Sequence, residues 1–280
     1  MKNFFDIISY ETSKMVTKKY STSFSLATRM LGVSIRQDIY NIYGFVRFAD
    51  EIVDSFHGYD QDYLFHDFER QLYEAIDHKI SLNPILNSFQ ETVHTYNIDR
   101  KSIEAFMKSM RLDLQKIEYT TDQEYHDYIY GSADVVGLMC LQVFVKGDKE
   151  MYNELKDSAM RLGSAFQKVN FLRDLKQDFE QLGRTYFPNA NLKCLDKTSK
   201  DCIIKEIEED FKAGYEGIKK LPAEAKFGVF TAYRYYKQLL KKLDKIPASE
   251  IKNSRVRISN FKKLELLTRS YAKYQLKLIK

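Results

Sequence analysis

The sequence predicts an all-α fold, and three observations carry that prediction. The 280 residues include only 11 glycines and 4 prolines, where average usage of roughly 7% and 5% would supply about 20 and about 14. So few breakers cannot provide the many turns of an all-β fold, and they favour long helices. Second, Ser34-Ile35-Arg36-Gln37 and Thr121-Asp122-Gln123-Glu124 fit the capping-box pattern, in which a hydroxyl and a later side chain satisfy each other's orphan amides at a helix start. Third, turn residues and short apolar runs are too few for a sheet.

Taken in order, the first helix is expected over 3–18. The second, over 35–54, opens behind the Ser34 box. Helices over 60–78, 84–95 and 100–115 follow, with Pro84 marking a break. The Thr121 box opens a helix over 122–145, and another is expected over 149–180. Pro188 separates that helix from one over 199–219, Pro222 separates the latter from one over 223–243, and Pro247 ends this stretch before a last helix over 260–277. Such bounds hold to about 2–4 residues. With no internal repeat of 20–50 residues and no low-complexity linker, residues 1–280 form one expected domain, which 44% hydrophobic residues can furnish with a sizeable core.

Composition also excludes several functions. Aromatic residues make up 14% of the chain, which is incompatible with intrinsic disorder. Lys and Arg outnumber Asp and Glu by 44 to 39, a net charge of +5 spread along the chain, whereas nucleic-acid binding calls for clustered basic charge. Cys140, Cys194 and Cys202 form no CxxC pair and are odd in number, so a disulfide framework is not expected. His57, His66, His78, His94 and His126 lack HExxH spacing and offer no zinc site. No apolar run reaches the ~18 residues of a membrane span; the longest, Val135 to Val145, is interrupted by Gln142. Asp6 and Glu11 stand where a signal peptide would need an apolar core. The expectation is a reduced, soluble, cytoplasmic protein.

Two segments carry chemistry. In Tyr40–Asp54, the residues Tyr43, Arg47, Asp50 and Asp54 fall within an arc of roughly 60° at 100° per residue. Phe45, Val46, Phe48, Ala49, Ile52 and Val53 occupy the opposite side and are expected in a core. Asp50 and Asp54 are an i,i+4 like-charge pair, which destabilises an isolated helix by a few tenths of a kcal/mol and which a bound cation would reverse. Between Gln167 and Asp178, the residues Gln167, Asn170, Asp174 and Asp178 again share one face. If the two faces meet across a bundle, four carboxylates converge on one cavity. Hard oxygen donors at that density suit Mg²⁺, which takes one or two carboxylates together with phosphate oxygens; soft metals would want sulfur or imidazole. The spacing is equally compatible with solvated helix faces, with Arg47 and Arg173 paired locally to Glu51 and Asp178 and contributing little.

At these residues the sequence resembles the squalene/phytoene synthase family, the trans-isoprenyl diphosphate synthases that join two prenyl diphosphates head to head, with the bacterial phytoene synthases as its nearest likeness. The resemblance spans roughly residues 15–265. Tyr20-Ser-Thr-Ser-Phe-Ser25 is similar to the family's early Ser-x-Ser-Phe segment, and Arg47-Phe-Ala-Asp-Glu-Ile-Val-Asp54 to its first DxxxD motif. Tyr128-Ile-Tyr-Gly-Ser-Ala-Asp-Val-Val-Gly137 resembles the central Tyr/Gly segment. Gln167 to Asp178, followed by Gly183-Arg-Thr-Tyr-Phe-Pro188, resembles the second DxxxD motif and its trailing Gly-Arg-x-Tyr-x-Pro. Five segments in order are far more specific than either DxxxD alone. One departure stands in the central segment, where Asp134 replaces a glycine found in many relatives, which bears on the shape of the central helix and on the product.

The resemblance implies a single-domain, all-α bundle around a central cavity, and Mg²⁺, or Mn²⁺ in its place, held by Asp50, Asp54, Asp174 and Asp178. It implies that two geranylgeranyl diphosphates condense to phytoene through a cyclopropylcarbinyl diphosphate, as in carotenoid biosynthesis. Arg47, Arg173 and Arg184 would neutralise diphosphate charge through forked hydrogen bonds, with Ser21, Ser23 and the basic rim at Arg255 beside them. Tyr43, Tyr128 and Tyr236 would stabilise the allylic cation by their faces, Gln167 and Asn170 would supply neutral dipoles, and Phe24, Val136 and Leu138 would shape an apolar channel. The alternatives are farnesyl diphosphate condensed to dehydrosqualene or, with NADPH, to squalene, and a non-catalytic helical assembly subunit. A terpene cyclase is disfavoured because Asp174 to Asp178 does not fit its second metal motif. Expected partners are prenyl diphosphates and, transiently, the inner membrane surface, with the protein a monomer or weak dimer.

Overall fold

Twelve α-helices, with a π-turn and a 3₁₀ turn between some of them, make up the computed structural model, which describes residues 2–115, 119, 121–180, 187, 195–253 and 256–279, residues 176–180 and 252–253 by backbone course only. No strand occurs among them. In chain order they are α1 (Lys2–Tyr20), α2 (Thr22–Thr28), α3 (Val33–Ser55), α4 (Gln61–His78), α5 (Pro84–Tyr96), α6 (Arg100–Asp113), α7 (Asp122–Ile129), a π-turn (Tyr130–Asp134), α8 (Val135–Phe144), α9 (Lys149–Glu180), α10 (Lys197–Lys220), α11 (Ala223–Lys245), the 3₁₀ turn (Ala248–Asn253) and α12 (Asn260–Gln275).

Local chemistry explains most starts. Asp60, Asn83, Asp99, Asp196 and Ser259 each accept a hydrogen bond from a first-turn amide of the helix that follows, which satisfies donors a helix leaves orphaned. Thr121 and Glu124 form the reciprocal capping box expected of them. Ser34 does not: α3 begins at Val33 behind Gly32, without a side-chain cap, because Gly32 is held by its amide on the Glu224 carbonyl at 2.8 Å. A tertiary contact has replaced the local cap.

Two other expectations are corrected. The short helix α2, within the Ser-rich segment, is absent from the predicted elements. The helix expected over 122–145 is interrupted by the π-turn, where α6 presses on it. A Cβ on Gly131 would lie 2.8 Å from the Ala105 carbonyl oxygen and within 3 Å of both Ser109 side-chain atoms. Close approach there widens the helix by one residue, as π-bulges do. On the other side, a Cβ on Gly163 of α9 would meet the Ala133 carbonyl oxygen at 2.8 Å. The π-turn is therefore clamped between two helices at backbone distance.

The core lies in two apolar clusters. One centres on α3, where the Phe45 ring stacks on Phe89 at 4.0 Å and meets Phe106 edge-on at 5.3 Å. The other joins α7, α9, α10 and α11 around Phe171, Phe211 and Tyr235. Of the α3 residues expected inside, Phe45, Ala49, Ile52 and Val53 are buried. Val46 and Phe48 are partly buried and pack against the same cluster, Val46 also lining the central cavity and Phe48 bordering a separate surface groove with Tyr20 and Phe56. No helix among the described residues is long and apolar enough to cross a membrane.

Candidate active site

Burying one side of α3 leaves Tyr43, Arg47, Asp50 and Asp54 on its other, half-buried side. Tyr43 stacks on Phe24 of α2, ring centroids 4.7 Å apart, with Ser21 in hydrogen-bonding reach. Burial pushes the Tyr43 phenol up to about 12, so it stays a neutral donor. The Arg47 guanidinium lies 4.5 Å from the Tyr20 ring centroid and donates to both Asp50 and Glu51. The local pairing to Glu51 allowed by the spacing is thus present, and Asp50 shares in it.

Asp50 is pushed up to about 8. The surrounding protein strips water from its carboxylate, Asp54 and Asp113 add negative charge, and Arg47 opposes both effects. Asp113, the last residue of α6, was missed by sequence reasoning. It is buried and accepts a hydrogen bond of 2.9 Å from the Tyr128 hydroxyl. Its only sequence signal is an acidic side chain at a helix C-terminus, where the macrodipole disfavours it. Tyr128 itself packs against Tyr119 and Phe171. It reaches the acidic cluster through Asp113 and is not among the residues lining the central cavity.

From α9, a chain of dipoles runs across the bundle. Gln167 donates to Ser132 Oγ (3.3 Å), Asn170 to Gln167 Oε1 (3.4 Å), and the Tyr236 hydroxyl of α11 to Asn170 Oδ1 (3.4 Å). The Tyr236 ring stacks on Phe166 at 4.1 Å, so α11 joins this polar chain of α9. One turn further along α9, Arg173 grips Asp174 in a fork, Nε to Oδ1 at 3.0 Å with a second nitrogen on Oδ2. Ser21 also caps α2 by accepting from the Phe24 amide, and Ser23 is half-buried on the same helix. The Asp178 side chain, Arg184 and Arg255 lie outside the described residues.

Both acidic helices border one cavity of about 240 Å³, lined almost wholly by apolar and small side chains. Phe24, Val46 and Val136 form part of its wall, with Leu162, Val229 and the bare backbone of Gly214 and Gly228; Ser132 and Gln167 supply polar atoms. Leu138, expected in this channel, is buried outside the lining, since it follows Gly137 by one residue and so turns about 100° away. Cys140 does line the cavity, and burial raises its thiol to about 12, which keeps it neutral.

The sequence and the fold are similar to those of known proteins. The family model described as squalene/phytoene synthase matches residues 17–262. The chain belongs to the squalene/phytoene synthase family. It is 26% identical to a phytoene synthase of Arthrospira platensis over 92% of this chain and 91% of that one. It is also 28% identical to a 4,4'-diapophytoene synthase of Staphylococcus haemolyticus over 72% and 68% of the two chains. A dehydrosqualene synthase crystal structure superposes with a TM-score of 0.81 at 21% identity, covering 96% of this chain and 98% of the other. A squalene synthase from Alicyclobacillus acidocaldarius superposes at 0.73 and 21%, covering 85% and 95%. The all-α fold around a central cavity is thus the family's fold, and the protein is a prenyltransferase.

Family members bind diphosphate through a divalent metal, and the residues present fit one. The donor set is all oxygen, and the Asp50 carboxyl, pushed up to about 8 first by burial and then by the charge of Asp54 and Asp113, is one that a cation would return to its ionised form. Among the described residues, which do not include the Asp178 side chain, no three acidic, histidine or cysteine side chains are grouped closely enough to hold a metal by themselves.

Asp134, the departure in the central segment, points away from the cavity. Its carboxylate accepts from Ser164 of α9 at 2.6 Å, and burial raises it to about 6 against the hydrogen bond from Ser164 and the charge of Lys168. Its place is a second tie between the π-turn and α9, one residue beyond the Gly163 contact. Asp134→Ala removes that tie and is expected to lower stability by about 1–3 kcal/mol, whereas Asp134→Asn, which keeps an acceptor, loses less than half of that; thermal denaturation of both variants measures the difference.

Proposed function

We propose that the protein condenses two geranylgeranyl diphosphates head to head to phytoene, with Asp50, Asp54, Asp174 and Asp178 holding Mg²⁺, or Mn²⁺, and that residues 1–280 form one synthase domain. The observation that carries the reading is the apolar cavity flanked by two acidic helices. It would serve as a greasy sleeve for a prenyl tail, the carboxylates of Asp50, Asp54 and Asp174 lying on its flanking helices outside the lining. Small residues along the sleeve, Gly214 and Gly228 among them, leave room for a long chain.

The metal, when bound, supplies Lewis-acid charge to the leaving diphosphate. The chain's own residues do the rest. Arg47 and Arg173, both already in forked pairs, orient diphosphate oxygens. The first substrate loses diphosphate to leave an allylic cation, and the double bond of the second attacks it. Loss of a proton closes a cyclopropane and gives a cyclopropylcarbinyl diphosphate. That species loses the second diphosphate, rearranges and gives up another proton to form the hydrocarbon. Phe166 lines the cavity, and Tyr43 and Tyr236 stack on the lining rings of Phe24 and Phe166; such aromatic faces would each stabilise positive charge by about 0.5–2 kcal/mol. Neutral Tyr43 and neutral Cys140 offer no anion to trap the cation, and the apolar wall excludes water that would convert it to an alcohol.

Incubating purified protein with Mg²⁺ and either geranylgeranyl or farnesyl diphosphate, with and without NADPH, is expected to give phytoene from the former as the main product. Dehydrosqualene, or squalene dependent on NADPH, formed faster from farnesyl diphosphate would replace this reading with its neighbour. Val136→Phe narrows the sleeve. It is expected to lower kcat/KM for the longer substrate by about tenfold or more relative to the shorter, and an unchanged ratio would place the tail elsewhere.

A further inference from the structure

Helix α12 carries a surface that the condensation does not use. Its inner face packs on α11: Lys263, Leu266 and Ser270 are buried, and Tyr274 lies against Phe227, ring centroids 5.2 Å apart. Its outer face should then be polar, but it is not. Phe261 and Leu264, on one side of the helix, are 80% and 61% exposed. Tyr271 on the same side meets Phe227 edge-on at 5.8 Å yet is 52% exposed, and Leu276 and Leu278, beyond the helix end, are also exposed. Single exposed apolar residues need no explanation, whereas a contiguous strip marks an interaction surface.

Charge identifies the partner. Residues 260–279 contain five basic side chains, Lys262, Lys263, Arg269, Lys273 and Lys277, and one acidic, Glu265. Lys263 is turned inward onto Thr22 Oγ1 at 2.6 Å, so the outward side chains of this short segment hold a surplus of three in a chain whose whole net charge is +5. The lone carboxylate is neutralised in place by Lys262 and Arg269. Arg269, Lys273 and Lys277 are exposed beside the apolar strip, an arrangement in which long side chains reach headgroup phosphates while their neighbours enter the acyl boundary.

We propose that the outer face of α12 docks on anionic lipid bilayers, lying in the interface plane with Phe261, Leu264, Tyr271, Leu276 and Leu278 inserted. The surface stands on exposure and charge alone. Its use, delivery of a water-insoluble hydrocarbon into lipid, rests on the proposed condensation. The acidic helices and the cavity play no part in the docking.

Co-sedimentation of the full chain with phosphatidylcholine vesicles, with and without phosphatidylglycerol, tests this directly. Wild-type protein is expected to bind the anionic vesicles at low salt, to bind neutral ones weakly, and to be largely released by high salt. Combined Phe261→Ser, Leu264→Ser and Tyr271→Ser is expected to reduce binding roughly tenfold or more, and Lys273→Gln with Lys277→Gln to reduce it several-fold on anionic vesicles only. Turnover of both variants on detergent-dispersed substrate stays at the wild-type rate. Catalysis failing in the wild type while vesicles bind would remove the condensation and leave the docking intact. Wild-type protein that ignores anionic vesicles, or a serine variant that binds as well as wild type, would overturn the docking. So would a wild-type dimer in solution that the serine variant dissociates, because a second copy would then cover the strip.

Discussion

Asp50→Asn is expected to lower turnover by about a hundredfold or more while raising the melting temperature of the metal-free protein. The loss follows if the carboxylate holds a cation on the leaving diphosphate, a contribution of several kcal/mol to the transition state. The gain follows from the carboxyl's surroundings. On folding, Asp50 moves from an ordinary value of 3.8 up to about 8, driven by desolvation, Asp54 and Asp113. A carboxyl raised in this way binds its proton more tightly when folded. Native stability therefore declines as pH rises from about 4 to about 8 and levels off above that. Asparagine resembles the protonated acid at every pH, so the advantage of the variant should open across that interval and then stay constant. Asp174→Asn should also lose turnover, but it dismantles the fork from Arg173 and should not gain stability. Diphosphate release, circular dichroism and melting curves over a pH series check all three statements. Wild-type turnover in both variants would refute the assignment of these carboxylates.

Lys168→Met is expected to produce a large loss of stability. Lys168 is 3% and Asp210 0% exposed, with Nζ to Oδ2 at 2.7 Å. Lys168 also pairs with Glu206, and Arg161 reaches Asp210 from the surface at 2.8 Å. Removing the lysine leaves a buried carboxylate with only a half-exposed partner. Breaking such a pair costs about 3–5 kcal/mol, and the remaining arginine places this case near the lower end. At roughly 2–4 °C per kcal/mol for a chain of this class, the melting temperature falls by about 6–12 °C. Adding Asp210→Leu should restore most of the loss, because the penalty is the uncompensated charge and not the missing contact. Melting curves of the single and double variants decide it: a single variant melting within about a degree of wild type would show that Asp210 had other support.

Much of the fold was legible because helix signals are local. Scarce breakers, the Thr121 box and Pro84 placed most helices within a few residues, and α9 spans the expected 149–180. The failures share one cause. Ser34 matches a capping box, yet Glu224, far along the chain, holds the turn in its stead. Residues 122–145 read as one helix, yet α6 and α9 press against Gly131 and Ala133 and open a π-turn. Leu138, assigned to the channel by the family resemblance, is buried outside the cavity lining, and Val46 both packs on the core and lines the cavity, because a helix packed on several sides has no single inner face.

The same division runs through the site. Sequence by itself determined which carboxylates share a helix face and which arginines and amides accompany them, since 3.6 residues per turn is a property of the backbone and needs no neighbour. Tertiary structure alone decided that Asp113 adds its charge to that around Asp50, that Tyr128 bonds to Asp113, that Asp134 faces α9 instead of the cavity, and that α12 keeps apolar side chains exposed. Each depends on which helix lies alongside. Burial, desolvation and the sum of nearby charges arise between elements distant in the chain, and no periodicity within one element can report them.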